Sequence, residues 1–198
     1  MQKICFLVLL IPFLNYSQEN WDLVKNKDQI KIWVRDVADS PFKEYKATTI
    51  IDTALDNVLD ELLTAPAYMN NCQEGISHLI KVTNKKEYLF YVRNEFPWPI
   101  KNRDVVSKIN VQEISKNIIK LNIDAAPKQL PILKNTLRVQ ELSGFWLLEN
   151  QGDHVKITQQ LYINPEGTLP PFITNTLLIS GPFRTFTELR NKLENVDS

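Results

Sequence analysis

Glycine, histidine and cysteine are scarce in this chain: five, two and two among 198 residues. Each shortage removes a class of chemistry. Five glycines leave no material for a phosphate-cradling loop or a dinucleotide fingerprint, and no Gly-x-Ser-x-Gly elbow occurs to present a serine nucleophile. The histidines, His78 and His154, and the cysteines, Cys5 and Cys72, form no metal-ligand cluster in the sequence. Neither sign of charge is in excess: Lys+Arg and Asp+Glu both total 23. A nucleic-acid binder would show a basic footprint, and an interaction tail would show a block of like charge. No uninterrupted apolar run reaches the length that crosses a bilayer.

The longest apolar run is Ile4–Leu14, eleven residues after the single positive charge of Lys3 and before Asn15-Tyr16-Ser17. That is the pattern of a secretory leader with cleavage at or near Ser17. Residues 1–17 are therefore expected to be a signal peptide and 18–198 one mature domain, exported to the periplasm or secreted. Cleavage removes Cys5 and leaves Cys72 alone, so no intramolecular disulfide is expected despite the exported location. Cys72 itself reads as a small buried apolar residue rather than a nucleophile.

Aromatic residues are plentiful, with nine Phe, six Tyr and four Trp. They suit a core or an apolar cavity. Asn20 to Asn26 predicts a short helix or turn, and Gln29 to Arg35 and Phe42 to Ile51 alternate as strands. Asp52 is placed to cap a helix from Thr53 to about Leu63, and Pro66 starts a second short helical piece with Tyr68 and Met69. Further strands follow: Ile76, His78, Ile80 and Val82 on one face, then Tyr88, Phe90 and Val92 on the next. Val105, Ile109 and Val111, and then Ile119, Leu121 and Ile123, continue the alternation. Thr136 to Glu149 reads as one strand bulged at Ser143-Gly144, and His154 to Asn164 as the last. Pro170-Pro171 opens a helix to about Glu194 that Gly181-Pro182 should kink. The short connections predict a largely antiparallel sheet in an α+β domain.

Phe96-Pro97-Trp98-Pro99 is a stiff corner that delivers Arg103 and Asp104 to the entrance of a strand. An arginine entering a core needs a partner or a function. Arg103 and Asp104 read either as a pair that ties the corner to neighbouring strands or as groups that orient a ligand, and Arg138 admits the same two readings. Trp98 reads as a plug for the corner, His78 as a core or cavity-wall histidine, and His154 as solvated.

Taken together, several segments resemble the START lipid-transfer domain family. They are Gln29–Arg35, Pro97-Trp98-Pro99 with Asn102-Arg103-Asp104, Leu137-Arg138-Val139 leading to Gly144-Phe145-Trp146, and Asn164–Pro170 followed by Asn175 and Leu189-Arg190. Their order and spacing carry the likeness, over about residues 20 to 195. It implies a helix-grip fold, in which a curved antiparallel sheet wraps a long C-terminal helix over an internal hydrophobic cavity. It also implies that this helix and the loops beside it move to admit one lipid-like molecule.

The resemblance implies ligand contacts from Tyr88, Phe90, Val92, Trp98 and Arg103, and from Val105, Ile109 and Arg138 on later strands. From the C-terminal helix it implies Thr174, Leu177, Leu178, Gly181, Thr185 and Leu189. Sterol-binding members carry an acid–base pair inside the tunnel at the positions that here are Phe90 and Ile109, and the tryptophan after the short helical pair is here Cys72, followed by Gln73. These departures point away from a sterol and toward a more uniformly apolar cargo. The expected function is binding, with possible transfer, of a lipid or other apolar small molecule. No catalytic residue, metal or cofactor is expected, and no nucleic-acid partner. A monomer that touches membranes only transiently is the expected state. Two alternatives remain at this stage: a polyketide cyclase or aromatase-like enzyme using Arg103, Arg138, Tyr88 or Gln73, and a packed domain with no cavity.

Overall fold

In the computed structural model, residues 20–64, 76–84, 86–96 and 98–194 are described. The expected leader, the expected helical piece beginning at Pro66, and Cys72 and Gln73 lie outside them.

The first strands are β1 (Asp22–Lys27), β2 (Ile30–Asp36) and β3 (Lys43–Ile51), followed by helix α1 (Leu55–Thr64). Next come β4 (Ile76–Thr83), β5 (Glu87–Asn94), β6 (Asn102–Ser115) and β7 (Ile118–Ala125). The short β8 (Thr136–Arg138), β9 (Glu141–Asn150) and β10 (Val155–Asn164) complete one ten-stranded sheet in the order β1-β2-β3-β10-β9-β7-β6-β5-β4. Every neighbour in that path is antiparallel, and β8 lies off it, parallel to β6. The α+β class and the wrapped-helix architecture are as the sequence indicates.

Period-two burial builds the inner face. Ile30, Ile32 and Val34 are buried while Lys31 is exposed, and Tyr45, Ala47, Thr49 and Ile51 are buried on β3. α2 (Pro171–Asn175), a π-helical segment (Thr176–Ser180) and α3 (Gly181–Glu194) run consecutively and close over that face. Phe186 of α3 lies fully buried against Trp146 of β9, ring centroids 5.5 Å apart. The disruption expected at Gly181-Pro182 takes the form of the π-helical segment just before it. Pro182 has no N–H to offer the Leu178 carbonyl and its ring would press on that carbonyl, and a wider turn relieves both.

Four expectations are corrected. The segment at Asn20 to Asn26 is largely strand, because β1 pairs with β2 from Asp22↔Val34 to Lys27↔Ile30. Trp21, at its start, packs under the Arg35 and Lys46 cations at 4.5 and 4.4 Å. Residues 136–149 are two strands rather than one, and the β9 register runs unbroken through Ser143-Gly144 against both neighbours. Gly144 is needed for a different reason: a Cβ there would overlap the Gln160 carbonyl oxygen and sit 2.9 Å from Leu161 Cα. In β4 a bulge between Leu79 and Lys81 breaks the predicted single face, so that His78 stands opposite Tyr91 and Val82 opposite Tyr88. The α1 helix begins at Leu55, two residues after the predicted start.

Candidate functional site

Strand alternation divides β6 into two faces with different work. Val105, Ser107 and Ile109 point to the concave side, where they wall an apolar cavity of about 200 Å³. Phe90 and Val92 of β5 join them from one flank, and Trp146, Gln159 and Leu161 from β9 and β10 on the other. A small recess of about 20 Å³ adjoins it, sharing Asn94, Val105 and Ile163 with the cavity wall and adding Phe96, Arg103 and Leu177. Among the described residues neither wall contains a carboxylate, a histidine or a thiol, and Arg103 is the one ionisable side chain.

Arg103 is held by main-chain carbonyls. Its Nη1 donates to Lys101 O at 2.6 Å, Nε to Pro165 O at 3.2 Å and Nη2 to Glu166 O at 3.2 Å. The guanidinium lies 5.6 Å from the Phe96 ring centre, and its burial pulls its pKa below the ordinary arginine value. Pro165 and Glu166 belong to the turn that leads into α2. Glu166 and Gly167 both have positive φ, 61° and 71°, and the Glu166 N–H donates to Asn164 Oδ1 at 3.0 Å. Arg103 thus ties the proline corner to the approach of the C-terminal helix.

Asp104, the next residue, faces the other way and pairs with Arg138 on β8. Arg138 donates from Nε to Asp104 Oδ1 at 2.7 Å and from Nη2 to Oδ2 at 2.8 Å. Its remaining donors reach the carbonyls of Pro127, Leu130 and Pro131 at 2.7, 2.9 and 3.1 Å. The hydrogen bonds to Asp104 hold the Arg138 pKa above its usual value. Tyr91 adds its hydroxyl to Asp104 Oδ2 at 3.3 Å, and burial together with that carboxylate raises the phenol pKa. Both side chains of the ion pair are fully inaccessible. The expected Arg103–Asp104 pair is therefore two separate anchorages, because consecutive strand residues point to opposite faces.

Of the residues named as ligand contacts, Phe90, Val92, Val105 and Ile109 line the cavity, and Arg103 and Leu177 line the recess. Tyr88 stacks beside Phe90 with centroids 6.4 Å apart. Leu178 and Leu189 are buried in the core but outside both walls, and Thr174, Gly181 and Thr185 are partly buried residues of the C-terminal helical run, also outside them. Arg138 is on the far face of the sheet. Trp98 is not a plug: it is 92% exposed, and Phe96 occupies the recess in its place. The sequence reading missed Ser107 and Gln159. Ser107 was accessible to it, since it shares parity with Val105 and Ile109.

A scan against protein-family models finds no match. Among solved structures, the StAR-related lipid transfer protein of Xanthomonas axonopodis is 32% identical and superposes with a TM-score of 0.77. The match covers 87% of this chain and 98% of that one. The chain belongs to the StAR-related lipid-transfer (START) family. Human StAR-related lipid transfer protein 5 shares the fold at a TM-score of 0.76 and 13% identity, over 92% of this START chain and 90% of its own. Bovine phosphatidylcholine transfer protein is 21% identical over 166 residues, 81% of this chain and 78% of its own. An uncharacterized Pseudomonas aeruginosa protein is 28% identical over 184 residues, 91% of this chain and 90% of its own.

Proposed function

We propose that this START domain binds one lipid or similar apolar small molecule in the β5–β6–β10 cavity, without converting it chemically, and carries it between membranes. The observation that supports this most is the apolar wall built by Phe90, Val92, Val105 and Ile109. Burying a ligand against it yields roughly 25 cal/mol per Å² before ordering costs are subtracted. A wall without carboxylate, histidine or thiol among the described residues offers no general acid or base for a cyclase-type reaction.

At about 200 Å³ the cavity is below the ~300–1,000 Å³ of ordinary ligand pockets, so a lipid enters only as the wall separates. The C-terminal helical run is the part placed to move. Its π-helical turn interrupts the regular ladder, and Leu177 within that turn reaches the recess.

Transient membrane contact is part of the proposal. The parallel pairing Asn102↔Thr136 brings the loops preceding β6 and β8 to the same end of the sheet. There Trp98, Ile132 and Leu133 are 92%, 60% and 47% exposed, and Lys101, Lys128 and Lys134 lie in the same two loops. Exposed apolar side chains among cations fit an anionic lipid surface. The hydrophobic leader at 4–14 supports export of the mature chain.

Native mass spectrometry of the purified mature protein, with extraction of whatever co-purifies, tests the proposal. One bound lipid per chain is expected. Absence of any adduct, also after incubation with a mixed lipid panel, would overturn it.

A further inference from the structure

The apolar cavity has two polar groups that the packing of the protein leaves unused. Gln159 and Ser107 are both buried, each 8% exposed, and both stand in the cavity wall. On one side the Gln159 amide is fixed: the Tyr45 hydroxyl donates to its Oε1 at 2.8 Å. Tyr45 is itself buried, and burial raises its pKa above the ordinary tyrosine value, so the phenol stays protonated and keeps donating. That bond engages the amide oxygen, and among the described residues it is the one hydrogen bond the Gln159 side chain makes to the protein, in a residue that stands at the cavity. Ser107 stands at the same cavity, and among the described residues its side chain makes no hydrogen bond to the protein.

Buried amides and hydroxyls in native proteins are nearly always hydrogen-bonded, so a group at a cavity wall without a protein partner is paired by what the cavity holds. A wall intended only for hydrocarbon would carry Leu or Met at position 159. An amide at the cavity wall whose oxygen is clamped by a phenol has its N–H donors left for an acceptor that the ligand supplies.

We propose that the ligand is an apolar molecule with one uncharged acceptor group, an ester or ketone carbonyl or an ether-type oxygen, received by Gln159 Nε2 with Ser107 Oγ beside it. Gln159 is then a specificity residue. A free carboxylate is disfavoured, because among the described residues the one cation near the cavity, Arg103 of the recess, already donates to three carbonyls. This inference rests on the cavity being the ligand site.

The test uses three probes of equal chain length: a ten-carbon alkane, the matching methyl ketone, and the matching carboxylate. Binding to the mature protein is measured for each, and the ketone-to-alkane affinity ratio is compared between wild type and variants, which cancels the probes' own hydration. Gln159→Leu is the direct variant. The double variant Tyr45→Phe/Gln159→Leu removes the amide without stranding the phenol, should the single one fold poorly. The ratio in wild type should exceed that in either variant by about five- to tenfold, the worth of one neutral hydrogen bond. Ser107→Ala should lower it further, by a smaller factor. A ratio unchanged within about twofold in a folded variant would overturn the inference while leaving the cavity reading in place. Tighter binding of the carboxylate than of the ketone would also overturn it. Failure of all three probes to bind wild-type protein would defeat the cavity reading itself.

Discussion

Arg138 meets Asp104 through two parallel bonds of 2.7 and 2.8 Å, and neither side chain has any contact with solvent. The pair clamps β8 to β6, while the other Arg138 donors hold the loop at Pro127–Pro131 against the convex face of the sheet. Its position opposite the cavity assigns it to stability rather than to the ligand.

Removing one partner of this pair should therefore be severe. Asp104→Ala leaves a buried guanidinium without its carboxylate and is expected to cost about 3–5 kcal/mol. Replacing both, as Asp104→Leu/Arg138→Leu, should recover much of that loss. Denaturant unfolding of the three proteins checks this; an Asp104→Ala loss below about 1 kcal/mol would show that the pair is not holding the strands.

Arg103, the residue before Asp104, acts from the opposite face of the same strand, on carbonyls of the corner and of the turn into α2. Arg103→Leu should lower stability by on the order of 2–3 kcal/mol and should speed ligand loss. Melting curves and dissociation rates measure the two effects. A folded variant with normal retention would show that the recess does not secure the cavity mouth.

The π-helical turn makes a kinetic prediction. Pro182→Ala restores the missing donor and favours a regular helix, so exchange of bound lipid should slow several-fold while affinity changes little. Unchanged uptake and release rates would remove this turn from the opening motion.

Alkaline pH should destabilise the fold. The Tyr45 and Tyr91 phenols have raised pKa values, from burial and, for Tyr91, also from Asp104. Unfolded tyrosines ionise near 10, so above that pH the unfolded chain releases protons that the folded chain still holds, and stability falls as pH rises. Below about pH 9 this contribution is fully present. Tyr45→Phe and Tyr91→Phe should each flatten the decline seen in unfolding experiments between about pH 9 and 11.

Much of this was readable in the residues. The alternation in Ile30-Ile32-Val34 and in Val105–Ile109 marked real inner faces, because a half-buried strand can satisfy water and core only by alternating. Trp21, Leu23 and Val24 misled, since their spacing suits a helix turn and only the pairing with β2 makes them a strand. Asp104 and Arg138 are 34 residues apart, and their meeting follows from a parallel pairing of β8 with β6 that local pattern does not encode. Gln159 and Gln160 are adjacent glutamines that local pattern does not tell apart; the register opposite Trp146 and Ala47 puts Gln159 inside. Leu178 and Leu189, ligand contacts by the resemblance, are buried in the core beneath the helix, because an apolar stripe does not distinguish a core from a cavity wall.

The central claim is that the space behind Phe90, Val92, Val105 and Ile109 is where a lipid resides. Its most direct test is the lipid occupancy of Val92→Trp, whose indole would fill that space from the β5 side, measured beside wild type in native mass spectra after exposure to the same lipid extract. The account predicts one lipid per chain in wild type and almost none in the folded variant. Equal occupancy of both proteins would contradict it.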